Sequence, residues 1–174
     1  MIKKLLNVIS TLGLCLVIML AILLAGVRVI GLTPYCVLSG SMEPTYHTGS
    51  LIYVKHIQPQ DIKVGDPITF VLNEDLVVAT HRVISVDNEK EYFYTKGDAN
   101  TSADGSPVHF NNLIGKPVFT IPYMGYVSNY LTTPPGMYIG ISLALVLILL
   151  TIAPDLFNKV GKETKASEKE RAQV

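Results

Sequence analysis

The chain has 174 residues, 49% of them hydrophobic and only 16% charged, with 14 basic side chains balancing 14 acidic ones. Such an apolar chain without net charge has the opposite of the disordered signature, and the even balance leaves no basic field to hold nucleic acid. The length suits roughly one domain with small additions. Its two cysteines, Cys15 inside an apolar run and Cys36 just beyond it, offer neither a disulfide framework nor a C-x-x-C metal or redox motif.

Residues 5–27 lie between Lys4 and Arg28 without a charge. A helix of that length reaches about 34 Å and can cross a bilayer; the apolar part of a cleavable signal peptide runs to only about 7 to 15 residues. Residues 35–38, 51–55, 67–72, 76–86, 91–96 and 116–121 then read as strands, rich in Val, Ile, Tyr, Phe and Thr. Asn73-Glu74-Asp75, Asp87-Asn88 and the stretch 97–107 supply the turns between them. None of these stretches has a sustained helical period, so a compact antiparallel β-sheet or barrel is expected. The segment Pro122-Tyr123-Met124-Gly125-Tyr126-Val127 follows, and either rests on a lipid interface or packs on the sheet as a linker. A second apolar run, 137–153, starts after the breaker Pro134-Pro135-Gly136 and is at the short limit for a span, with Tyr138 at an interfacial position.

The expected organisation is thus a cytoplasmic start at 1–4, a transmembrane helix at 5–27, a β domain at 28–136, a second transmembrane helix at 137–153 and a charged, solvated tail at 154–174. Lys3 and Lys4 precede the first span, and Lys159, Lys162 and Lys165 follow the second. Cytoplasmic flanks favour Lys and Arg, so both ends are read as cytoplasmic and the β domain as extracytoplasmic.

Three places in that domain carry chemistry. Ser39-Gly40-Ser41-Met42-Glu43-Pro44 breaks an apolar run with small, turn-forming residues and can expose a serine sharply. A serine hydroxyl is a poor nucleophile without a positioned base. His81, within Val77-Val78-Ala79-Thr80-His81-Arg82-Val83-Ile84, is the histidine held on a strand, and an imidazole near its ordinary pKa accepts a proton at neutral pH. The loop Lys96-Gly97-Asp98-Ala99-Asn100-Thr101-Ser102-Ala103-Asp104 offers two carboxylates, either of which could orient His81. His47, His56 and His109 are too scattered to suggest a zinc site, and no metal or cofactor is called for.

Taken together, the Ser39–Pro44 box, His81-Arg82-Val83-Ile84 and Lys96-Gly97-Asp98 with Asp104 resemble the type I signal peptidases of peptidase family S26. Having a histidine where the common bacterial enzymes have a lysine, the chain is similar to the endoplasmic-reticulum, archaeal and sporulation-type branch. The resemblance runs from the first span to about Val127 and implies a serine endopeptidase in the plasma membrane, multi-pass, that removes signal peptides from secreted precursors. It implies Ser41 as the acylated serine, His81 as base, Asp104 as the aspartate facing it and Asp98 as a brace of the shared Gly-Asp box. By the same resemblance Ser39 helps the Ser41 N–H form an oxyanion hole, and Ser102 takes a supporting place, one residue closer to Asp98 than in the lysine-type pattern. Partners would be signal-peptide-bearing precursors and membrane lipid. Competing readings are a non-catalytic, membrane-tethered β module and a sortase-like thiol enzyme built on Cys36, which lacks an accompanying arginine and histidine pattern.

Overall fold

The computed structural model describes residues 2–72 and 77–152. The expected turn at Asn73-Glu74-Asp75, the last residue of the second apolar run and the charged tail lie outside them. The chain divides into two compact units, one formed by Met1–Leu23 with Thr133–Val174, the other by Leu24–Thr132.

In the first unit, helix α1 covers Ile2–Leu24 and a second helix, here α3, covers Gly136–Ile152. Of the described helices, α1 alone is by itself long and apolar enough to cross a membrane, over Asn7–Leu24. Gly13 lets α3 come close: a Cβ there would stand 3.1 Å from Leu147 Cδ2.

The second unit is mainly β, as the alternating apolar runs predict. A 3-10 turn, Gly26–Ile30, leads into β1 (Leu32–Cys36), followed by β2 (Leu51–Lys55), β3 (Pro67–Val71), β4 (Val78–Asp87), β5 (Tyr92–Lys96), β6 (Val108–His109) and β7 (Leu113–Ile121). All pairings are antiparallel in the order β1-β2-β7-β3-β4-β5-β6, so β7 joins the two halves. One side of the core holds Ile62, Ile68, Phe70, Val83, Phe93, Val108, Phe110 and Leu113. Four consecutive residues of β2, Leu51 to Val54, are at most 2% exposed, so this strand is covered on both faces.

Three bulges bend the sheet. Val118, Ile114 and Ile84 are the extra residues, inserted opposite the Tyr53/Val54, Thr69/Phe70 and Tyr94/Thr95 steps respectively. The Ile114 carbonyl accepts a bond from His56 Nδ1 at 3.1 Å, which gives that histidine a structural task. Gly115 beside it has φ 157°, and a Cβ there would fall 2.1 Å from the Lys55 carbonyl oxygen, so no larger residue fits.

Some expected boundaries move. β1 begins at Leu32 and runs through Pro34, which is tolerated because β1 is an edge strand. The two-residue β6 was not expected, and residues 122–127 do not form a plain linker but open a helix, α2, at Met124–Thr132.

Candidate active site

Ser41 stands in the long turn between β1 and β2. Two bonds close its neck, Val37 N–H to the Ser50 carbonyl at 2.9 Å and Gly49 N–H to the Val37 carbonyl at 2.8 Å. Within it, Glu43 N–H reaches the Gly40 carbonyl and Tyr46 N–H the Met42 carbonyl, both at 3.0 Å, while Met42, 2% exposed, pins the turn to the interior. The Glu43 carboxylate ties the far side, accepting the Thr48 N–H at 3.2 Å and pairing with His47 Nδ1.

His81 projects from β4, where it is in register with Ile68, and its ring lies edge-on to Phe70 at a centroid distance of 6.2 Å. Its Nε2 is 3.2 Å from Ser41 Oγ, and its Nδ1 is 2.5 Å from Asp104 Oδ2. That carboxylate oxygen also accepts a bond from Thr95 Oγ1 at 2.6 Å, and the Asp104 N–H donates to the Thr95 carbonyl at 2.9 Å. Thr95 is 2% exposed, so β5 fixes Asp104 from beneath through one buried residue. With Nδ1–H given to the carboxylate, Nε2 is the nitrogen left to accept the serine proton.

Asp98 does something else. Arg82 grips it with two parallel bonds, Nε to Oδ1 at 2.7 Å and Nη2 to Oδ2 at 2.6 Å, and Thr45 Oγ1 donates to Oδ2 at 2.5 Å. The Arg82 bonds hold the Asp98 carboxyl below its ordinary range, outweighing burial, and the same pair holds the guanidinium above its own. Arg82 Nη1 further donates to the Gly65 carbonyl at 2.8 Å. The two carboxylates are thus differently placed: Asp104 faces His81, and Asp98 ties the Thr45 side of the serine turn to β4.

The loop carrying both aspartates also grips the Ser41 backbone. Ala99 N–H donates to the Ser41 carbonyl at 2.9 Å, and a Cβ on Gly97 would fall 2.6 Å from that same oxygen, so glycine is what lets the two loops meet. Ser39 Oγ lies 3.2 Å from Ser41 Oγ. Among the described residues the Ser41 N–H has no acceptor, which leaves it free to meet an incoming oxyanion. Ser102 is exposed and lines, with Asp104, an open cavity of about 490 Å³; no hydrogen bond among the described residues ties it to the serine or the histidine. Cys36 Sγ lies near the Val37 carbonyl, outside this network, and burial raises its thiol pKa. No group of three or more His, Cys, Asp or Glu among the described residues is arranged to hold a metal ion.

Comparison with known proteins finds likenesses to one family. The family described as "Signal peptidase, peptidase S26" matches residues 9–92, the stretch that holds Ser41, His81 and Arg82. Signal peptidase I W of Bacillus subtilis (strain 168) is 37% identical over 121 residues, covering 64% of this chain and 63% of the relative. Over these stretches the chain is similar to the signal peptidases of peptidase family S26. The likeness extends to eukaryotic proteins. The signal peptidase complex catalytic subunit SEC11C of Homo sapiens is 32% identical over 102 residues, 53% of each chain, and the SEC11 subunit of Plasmodium falciparum (isolate 3D7) is 29% identical over 125 residues, 66% and 67%. The chain thus spans less than two thirds of the length of the first two of these relatives.

The matched segment stops short of both aspartates, which the fold supplies from beyond it. Sequence reading singled out Ser41, His81, Asp104, Asp98 and Ser39 but passed over Thr95, Thr45 and the side chain of Arg82 as parts of the site. Arg82 stood next to His81 within a quoted motif; Thr95 carried no signal beyond being a threonine in a strand.

Proposed function

We propose that this chain is a member of peptidase family S26, a membrane-bound serine endopeptidase that removes N-terminal signal peptides from secreted precursors, with Ser41 as nucleophile, His81 as general base and Asp104 as the group that orients it. The observation that carries this reading is the bridge made by one imidazole, 3.2 Å from a turn-borne serine oxygen on one side and 2.5 Å from a carboxylate on the other.

Ser41 Oγ adds to the scissile carbonyl carbon while its proton passes to His81 Nε2. Asp104 stabilises the resulting imidazolium, and the oxyanion meets the Ser41 N–H with the Ser39 hydroxyl. His81 returns the proton to the departing amine as the C–N bond breaks, leaving the signal peptide as an ester on Ser41. Water, deprotonated by His81, then releases the peptide carboxylate and restores the hydroxyl. Small side chains at the first and third positions before the cut are what family membership suggests for the substrate.

Two spans, α1 and the run at 137–153, anchor the protein in the plasma membrane with both ends cytoplasmic and the β domain outside. The close approach of α3 to Gly13 supports this hairpin, because small residues let helices pack tightly in lipid. The path from Leu24 to Ser41 is at most about 60 Å even fully extended, and a 3-10 turn and β1 shorten it, so the serine works close to the bilayer.

The test is cleavage of a precursor bearing a small-x-small site by the full chain in detergent, with the product ends read by mass spectrometry. Ser41→Ala and His81→Ala each lower the rate by a factor on the order of 10⁶, the size of loss seen when a serine–histidine pair is broken. Undiminished cleavage in both variants refutes the catalytic reading and leaves a tethered binding module.

A further inference from the structure

Asp104 is held by very little of its own loop. Residues 101–103 before it and 105–107 after it are exposed, and Asp104 alone of this run is part-buried. Among the described residues its hydrogen bonds run only to His81 and Thr95. His81 and Asp104 cannot place one another, because a bond between two side chains fixes their relative position and not where the pair stands in the fold. A catalytic arrangement needs a further group, itself locked by packing, to set that position.

Thr95 has the required rigidity. It lies on β5 in register with Val83 of β4, is 2% exposed, and stands two residues from Phe93, which is wholly buried. It meets Asp104 twice. The Thr95 carbonyl takes the Asp104 N–H at 2.9 Å and fixes where the backbone passes, while Thr95 Oγ1 donates to Oδ2 at 2.6 Å and fixes where the carboxylate points. The backbone bond survives any substitution at position 95; the side-chain bond needs the hydroxyl. Residues 99–104 line an open cavity of about 490 Å³. Freed from Thr95, the Asp104 side chain can change rotamer toward that space, where water competes for its oxygens.

We propose that Thr95 is a positioning residue of the hydrolytic site, whose hydroxyl holds the Asp104 carboxylate against His81 Nδ1 and so keeps Nε2 free to take the Ser41 proton. This rests on the reading of Ser41, His81 and Asp104 given above and adds a fourth side chain to it. Being buried, Thr95 meets no substrate and acts through Asp104 alone.

Three substitutions separate the hydroxyl from the packing: Thr95→Ser keeps the donor without the methyl group, Thr95→Val keeps the shape without the donor, and Thr95→Ala lacks both. The full chain in detergent is assayed on a precursor bearing a small-x-small site. In Thr95→Ser, kcat is expected to stay within about threefold of the parent, because the same donor remains. In Thr95→Val and Thr95→Ala it is expected to fall about 10- to 100-fold, the effect of losing one hydrogen bond to a charged group, with KM unchanged. In an Asp104→Ala background, Thr95→Val is expected to add no further loss, since the group it acts through is gone. Thr69→Val is the control: Thr69 is also fully buried in the sheet, but its hydroxyl pairs with Thr80 at 2.8 Å, so stability is expected to fall while kcat holds.

A parent-like kcat in Thr95→Val, an equal loss in Thr95→Ser, an equal loss in Thr69→Val or a further loss in the Asp104→Ala background each overturns the proposal, and the reading of the site stands as long as cleavage depends on Ser41 and His81. Where Thr95→Val is too unstable to assay, the contrast between Thr95→Ser and Thr95→Ala decides in the same way. Undiminished cleavage in Ser41→Ala overturns the reading of the site, and the role of Thr95 with it.

Discussion

Replacing Asp104 by asparagine keeps the volume and removes the charge at the one atom, Oδ2, that receives both His81 Nδ1–H and Thr95 Oγ1–H. An amide oxygen there still accepts both bonds, but it no longer faces the imidazolium with a full negative charge once the Ser41 proton has arrived. Two unit charges about 4 Å apart at an effective dielectric constant near 20 attract by about 4 kcal/mol, a setting suited to side chains that are 16% and 19% exposed. Losing that term slows kcat about 10³-fold, with KM little changed if Asp104 acts only through His81. Asp98→Asn provides the contrast. Its partners are Arg82 and Thr45, not His81, so kcat stays within about tenfold while stability falls by about 2 kcal/mol, the worth of hydrogen bonds to a charged group. Steady-state kinetics on a precursor peptide and chemical denaturation of both variants check this. Equal kcat losses in the two variants, or an Asp104→Asn enzyme within tenfold of the parent, would refute the division of labour.

The remaining expectations concern pH, packing and the oxyanion. Because Arg82 depresses the folded-state pKa of Asp98, the pair contributes stability above the ordinary carboxylate value of about 4 and loses it as pH falls through the depressed one. The stability gap between the parent and Asp98→Asn should be present in denaturation at pH 7 and close in strong acid. Gly97→Ala forces a Cβ to 2.6 Å from the Ser41 carbonyl oxygen, whereas Gly105→Ala meets nothing within 4 Å; the first should lose about 1 to 3 kcal/mol of stability together with activity, and the second neither. Ser39→Ala removes one candidate oxyanion donor and should lower kcat by about 2.7 to 4 kcal/mol of barrier without abolishing cleavage. Cys36→Ser should be nearly silent in the same assay, since that thiol is outside the network around Ser41.

The strands with β-branched and aromatic alternation, β2 to β5, were legible because their side chains suit a pleated, half-buried surface. β1 was displaced because Pro34 reads as a breaker, and only its place at the sheet edge permits it. β7 begins at Leu113 rather than Lys116, since the bulge at Ile114 and Gly115 interrupts the alternation that marks a strand. α2 was missed because its docking depends on the close approach of Gly125 to Gly49, a tertiary contact that leaves no local period. At the site, the serine turn and the strand histidine could be named from residue type and setting. The two aspartates could not be told apart from spacing, because what separates them is a buried threonine on β5 and an arginine on β4, positioned by pairings far apart in the chain.

The bond between Ala99 N–H and the Ser41 carbonyl joins the turn after β1 to the loop after β5. His81 comes from β4 and both aspartates from that same loop after β5, so Ser41, His81 and Asp104 are together only when three separate segments have met. On the proposed reading, the serine therefore gains its base only after the chain has been made through Asp104 and β4 has paired with β5.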